Sequence, residues 1–148
     1  MGAGESSNPI RNMDKRTARR EYKDDFSRAI GKFRQQFVFP DTNTGVEDQT
    51  DLSTWSAGDI RVFVRKRPIF KRETDLGEFD VVSCVGADTV VVHDARMHTD
   101  MKRQFINNHS FSFDRVFGEI TDNRFVYTHT TAPLVTIALE GGYSTCMV

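Results

Sequence analysis

The sequence predicts an α/β fold in which the opening strands of a sheet follow a helical neck. Three observations predict it. Ile60–Arg65 is dense in β-branched residues, as a central strand is. Two shorter apolar runs flank Gly86-Ala87-Asp88, the pattern of a hairpin. Two stretches, one near each end of the chain, repeat apolar residues every three or four positions, as helices do. Strand, hairpin, strand, helix, strand is the beginning of an α/β sheet and not a whole one.

Taken in order, residues 1–14 are expected to be disordered, the first ten being rich in Gly, Ser and Asn. Residues 15–39 are expected to form one basic neck helix. Tyr22, Phe26, Ile30, Phe33 and Phe37 fall on one face of it, and Lys, Arg, Asp and Gln fill the other. Gly31 weakens this helix by about 1 kcal/mol relative to Ala, and Pro40 stops it. The apolar stripe has to bury against either a partner surface or the body of the domain. Residues 40–58 read as an acidic linker whose one large apolar residue is Trp55.

The body, residues 59–148, starts with the strand ended by Pro68. Phe79–Val85 and Thr89–His93 are the arms of the hairpin, and polar residues 94–104 read as an exposed loop at its far end. Phe111-Ser112-Phe113-Asp114 alternates like a half-buried strand. Thr121 or Asp122 caps a helix running to about Glu140, with Gly141-Gly142 as its stop. Its expected buried stripe is Tyr127, Thr131, Leu134, Val135 and Ala138, with Pro133 a fault inside it. Tyr143–Val148 turns strand-like.

Composition narrows the function classes. The chain has 148 residues, 38% hydrophobic and 28% charged, and no apolar run approaches the roughly 20 residues that span a bilayer. Cys84 and Cys146 are too few for a disulfide framework and fit a reducing compartment. The histidines, His93, His98, His109 and His129, lack metal-ligand spacing. The net charge of −1 conceals an asymmetry: residues 1–38 hold nine Lys/Arg against five Asp/Glu, and residues 39–60 hold five acids and no base. Such a basic arm suits an acidic protein surface, nucleic acid or an anionic membrane, or is simply a solvated face.

Three segments together resemble one family, the kinesin motors. Ile60-Arg61-Val62-Phe63-Val64-Arg65-Lys66-Arg67-Pro68 is similar to their first strand, which ends in Arg-x-Arg-Pro; the form with Lys in the middle is typical of the internal-motor, microtubule-depolymerising class. Phe111-Ser112-Phe113-Asp114-Arg115-Val116-Phe117 resembles their Phe-x-Phe-Asp-x-x-Phe strand. Val126-Tyr127, Ala132-Pro133-Leu134-Val135 and Gly142-Tyr143-Ser144-Thr145-Cys146 look like the helix and strand that lead into the kinesin phosphate loop. The three occur in the family's order across residues 59–148.

The resemblance implies the N-terminal portion of a kinesin-type P-loop NTPase sheet. It implies ATP with magnesium as cofactor in the full-length protein, tubulin or microtubules as partner, and a place on the cytoskeleton in the cytoplasm. Arg65, Arg67 and Pro68 match the residues that frame the adenine, where a guanidinium can stack on a flat base. The hairpin loop corresponds to one that carries a Lys-Val-Asp tip in the depolymerising class. Here it reads His98-Thr99-Asp100, with Lys102 and Arg103 beyond, so only the acid is kept. Arg16, Arg19 and Arg20 match the basic neck that precedes such motors and would meet acidic tubulin. No Gly-x-x-x-x-Gly-Lys-Ser/Thr occurs in the sequence. The chain is thus expected to stop short of the phosphate loop, to supply neither catalytic residues nor magnesium ligands, and not to hydrolyse ATP by itself.

Two other readings stay open at this level: a short, non-catalytic tubulin-binding protein, and a polybasic membrane- or nucleic-acid-binding module. Under the motor reading neither nucleic acid nor membrane is an expected partner, although Met1-Gly2 and Ser6 fit the short myristoylation pattern.

Overall fold

The computed structural model describes residues 14–37, 58–100 and 103–148. The expected disordered start, most of the acidic linker with Trp55, Pro40, Gly2 and Lys102 lie outside the described residues. Contacts divide the chain into two units. One holds the residues up to Gln36 with Ile69–Ser83 and Val92–His109; the other holds Phe37–Pro68, Cys84–Val91 and Ser110–Val148.

The first unit is built on the neck. It forms two helices, α1 (Lys15–Glu21) and α2 (Lys23–Gln35), and not a single one. Tyr22 leaves the helical region at φ −100°, ψ 20°, yet its N–H still bonds Ala18 O and its carbonyl still accepts from Phe26 N. The interruption is therefore a local distortion with the backbone bonds kept. Asp14 caps α1: its carboxylate accepts from Arg16 N at 2.9 Å, Thr17 N at 3.0 Å and the Thr17 hydroxyl at 2.6 Å. These bonds hold the Asp14 carboxyl below its usual value, the Thr17 hydroxyl contributing most. Because the folded pKa is the lower one, the cap's contribution is complete above about pH 4 and disappears as pH falls through the depressed value. Acid titration followed by circular dichroism should show helical signal lost below pH 4 in the parent, and a smaller acid-dependent loss in Asp14→Ala.

The apolar stripe of the neck is buried within its own chain. Ala18, Phe26 and Ile30 are each 1% exposed. Phe26 stacks on Phe79 with ring centroids 5.9 Å apart, and Phe33 meets His93 edge-on at 4.8 Å. Burying one such phenyl ring contributes about 1.5–3 kcal/mol. Arg34 fixes the end of α2: its Nε donates to Ser83 Oγ at 2.8 Å, and Nη2 donates to Val82 O and pairs with Asp80 Oδ2, both at 2.9 Å. Ser83 Oγ lies 2.8 Å from His93 Nε2, and His93 Nδ1 lies 2.7 Å from Asn108 Oδ1. The Asn108 oxygen can only accept, so the Nδ1–H tautomer is the one that satisfies both contacts.

β1 (Phe63–Arg65) is followed by the short helix α3 (Lys71–Asp75) and then by β2 (Val82–Val85), β3 (Thr89–Met97) and β4 (Gln104–Ser112). These three strands form a sheet in the order β2-β3-β4. The hairpin is longer than the sequence predicts: residues 94–97 continue β3 and Gln104 opens β4, so both strands reach into the expected loop. The polar composition of β4 hid it. An edge strand with most side chains in water tolerates Gln, Asn and His because its partner supplies the ladder.

In the second unit β1 pairs in parallel with β5 (Arg115–Phe117), Val64 opposite Val116. The rung lies a few residues beyond the predicted Phe111–Asp114 strand. Phe111 and Ser112 end β4, and Asp114 joins the ladder through its side chain, its Oδ2 accepting from Val62 N at 2.7 Å. Phe117, 1% exposed, is the centre of this core, between Phe63 at 6.3 Å and Phe125 at 6.2 Å.

Helix α4 (Asn123–Leu139) is capped by Asp122, whose carboxylate accepts from Phe125 N at 2.7 Å. It ends at Gly141 with φ +88°, a left-handed turn that glycine takes without a Cβ clash. Its buried face differs from the predicted one. His129 and Pro133 are the buried residues, while Tyr127 and Val135 are 50% and 43% exposed. Phe125 sets this face by packing on Phe117, and His129, one turn on, lies 4.0 Å from the Phe125 ring with its Nδ1 2.7 Å from Phe125 O. Pro133 stays inside the helix. Tyr143–Val148 is not a strand and is exposed throughout, because no described strand lies alongside to share a ladder with it.

Candidate functional site

The end of β1 carries the first candidate cluster. Arg65 turns toward the start of α4, donating from Nη1 to Asn123 Oδ1 at 2.6 Å and from Nη2 to Thr121 O at 2.9 Å. A cation is disfavoured at a helix N-terminus, so these two acceptors and the nearby Asp122 cap decide its position. Lys66, only 13% exposed, pairs with Glu119 at 2.9 Å, and its N–H extends the ladder to Phe117 O. Arg67 and Pro68 are exposed beyond the strand, with Arg67 Nη1 donating to the Pro68 carbonyl at 3.1 Å. The three predicted residues thus fall within four positions at one strand end: Arg65, held by two bonds, and the exposed Arg67 and Pro68.

The second cluster is the hairpin tip, in the other unit. His98 N donates to Arg103 O at 2.8 Å and closes the turn, and the His98 ring lies 4.7 Å from Phe105. Asp100 takes Arg103 Nε at 3.0 Å and caps its N–H. Thr99, Asp100 and Arg103 are exposed. An ion pair in this setting is worth about 0–1 kcal/mol, so both charges can be exchanged for those of a partner at little cost. At the foot of the tip the Arg96 guanidinium, chiefly by its hydrogen bond, holds the Asp94 carboxyl below the usual range.

The third cluster is the basic neck. Arg20 Nη2 lies 3.2 Å and Arg16 Nη2 3.7 Å from Glu78 Oε1, while the Arg19 guanidinium lies over the Phe79 ring at 5.7 Å. Sequence reasoning named these arginines and missed their partners. Gly77-Glu78-Phe79-Asp80, an acidic turn with one aromatic, was the available signal. It also missed Thr121 and Asn123, for which no short motif exists.

No group of three or more metal-ligating side chains comes together among the described residues. The described side chains thus form three charged clusters: the β1 end, the hairpin tip and the neck.

Comparison with known sequences decides the family. The kinesin motor domain profile matches residues 65–148, more than half of the chain. This chain belongs to the kinesin motor domain family. Among curated relatives, the kinesin-like protein KIF24 of Homo sapiens is 42% identical over 87 residues, 59% of this chain and 6% of the relative. The mouse protein of the same name (Mus musculus) is 39% identical over 102 residues, 68% of this chain and 7% of its own length. The chain therefore spans only a small part of the relatives it matches. The kinesin match opens on Arg65 and takes in Arg67, Pro68 and the whole hairpin tip, so two of the three clusters lie inside it. The neck arginines lie before it.

Proposed function

We propose that the chain contributes the nucleotide-base edge and part of the tubulin-binding surface of an ATP-driven microtubule motor, of the kind that removes tubulin from microtubule ends. The kinesin match beginning at the strand end of Arg65, Arg67 and Pro68 carries this reading. Arg65 is positioned by Thr121 and Asn123, and with Arg67 and Pro68 it forms a rigid rim against which adenine stacks. The tip residues His98, Thr99, Asp100, Lys102 and Arg103 face tubulin, together with Arg16, Arg19 and Arg20 of the neck. The setting is the cytoskeleton of the cytoplasm.

The residues present fit the base of ATP and not its phosphates. Phosphoryl transfer needs a backbone cradle, a lysine and a hydroxyl on magnesium, and the sequence has no Gly-x-x-x-x-Gly-Lys-Ser/Thr to supply them. ATP bound in the complete motor would bring the energy of phosphate hydrolysis; this chain's part is to orient the base. Purified chain should therefore show no ATP turnover above a no-protein control, and turnover that follows the protein through gel filtration would contradict this.

Microtubule co-sedimentation tests the partner. Binding should weaken steadily between 50 and 200 mM salt, as screened attraction does. Charge reversal at Arg103→Glu, on an exposed turn, should weaken it by about threefold to tenfold at low salt. Co-sedimentation unaffected by both salt and this substitution would remove the tip from the interface.

A further inference from the structure

The neck arginines line a cavity that neither the nucleotide rim nor the hairpin tip uses. It has a volume of about 300 Å³ and is walled by Lys15, Arg16, Arg19 and Arg20 on α1 and by Gly77, Glu78 and Phe79 opposite. Four cations thus surround one carboxylate. Glu78 Oε1 lies 3.2 Å from Arg20 and 3.7 Å from Arg16, its side chain 43% exposed, and Asp94 also feels the charge of Arg19. Arg19 Nε and Arg20 Nε are buried and have no hydrogen-bond partner. Buried guanidinium donors without acceptors are costly and rare in folded proteins. Gly77, at φ +82°, takes a left-handed turn that suits glycine and lies beside the Arg20 side chain.

We propose that this cavity is a binding site for a small phosphate-bearing anion. A phosphate group offers several strong acceptor oxygens and a charge near −2, which suits paired guanidinium forks better than a monovalent ion does. The volume admits a phosphate or diphosphate and excludes a folded peptide. Phe79, whose ring already meets the Arg19 guanidinium at 5.7 Å and the Phe26 ring at 5.9 Å, closes one wall. Glu78 acts as a gate of charge: it repels weak anions and yields its two arginines to a divalent one. The proposal does not rest on the tubulin reading, since either can fail alone.

Isothermal titration of the full chain with sodium pyrophosphate, at ionic strength held constant with sodium chloride, tests the site. One-to-one saturable binding is expected. Arg19→Gln and Arg20→Gln should each weaken it about tenfold, the worth of one charge-assisted hydrogen bond. Glu78→Gln should tighten it several-fold, a gain that loss of fold cannot imitate. Absence of saturable binding, affinity unchanged from the parent in both arginine variants, or weaker binding in Glu78→Gln would each overturn the site. Arginine-dependent binding of an oligoglutamate in the absence of any for pyrophosphate would also overturn it, and would make the neck an acidic-peptide surface instead.

Discussion

Phe117→Ala is expected to cost about 3–5 kcal/mol of unfolding free energy, the usual loss when a fully buried phenyl ring is truncated. Phe117 is 1% exposed and lies between Phe63 on one side and Phe125 on the other. Its removal opens a cavity between the two-stranded ladder and α4 that neither can collapse to fill. The backbone of Phe117 also accepts from Lys66 N at 2.9 Å, so loosening the residue frees the strand end that carries Arg67 and Pro68. Urea denaturation should show the midpoint falling, and hydrogen exchange should lose protection at Lys66 and Val116. Phe117→Leu, which keeps most of the volume, should cost well under half as much. A loss below 1 kcal/mol for the alanine variant would mean that this core is not what holds the second unit together.

Arg34→Ala should release the neck from the strands beneath it. The guanidinium satisfies Ser83, Asp80 and the Val82 carbonyl at once, and its own side chain and that of Asp80 are 30% and 20% exposed. Breaking a buried pair by removing one partner costs about 3–5 kcal/mol. Partial exposure here lowers the expected figure to about 2–3 kcal/mol. The readout is limited proteolysis after the basic residues of α1 and α2, which should accelerate at least tenfold while the β1–β5 ladder stays protected. The double variant Arg34→Met with Asp80→Leu removes both charges and should recover the part of the loss due to the unpaired Asp80 carboxylate, while the Val82 carbonyl stays without the arginine donor. Unchanged proteolysis in Arg34→Ala would show that the aromatic seam of Phe26 and Phe33 suffices alone.

How legible these features are in the sequence depends on whether their causes are local. The neck stripe could be read because helical spacing lies within a few residues; what it packs on could not, because Phe79 and His93 lie more than 50 residues away in the chain. Arg65, Arg67 and Pro68 stand in a recognisable run, whereas Thr121 and Asn123, which position the first of them, belong to no motif. The face of α4 was misjudged because apolar character picks Tyr127 and Val135, while packing picks His129 and Pro133. A histidine that bonds its own helix backbone and a proline with no N–H to satisfy are both inexpensive to bury. Gln104 falls in the expected loop and residues 105–110 carry no strand expectation, because Gln104, Asn107 and Asn108 have little strand preference of their own; pairing with β3 makes them a strand. Tyr143–Val148 has strand composition and no ladder partner, and composition cannot supply one.

The two bonds from Arg65 to the start of α4 have an evolutionary consequence. Under the proposed function, selection on this arginine would have two sources, its bonds to α4 and a ligand, and the first would persist without the second. A descendant that had abandoned nucleotides would still keep an arginine at position 65, with Asn123 changing only alongside it, because lysine cannot reach both acceptors from one planar group. Pro68, exposed past the strand, would be free to drift. Across a family tree, the proline would therefore be the better marker of whether the proposed base-binding role is kept.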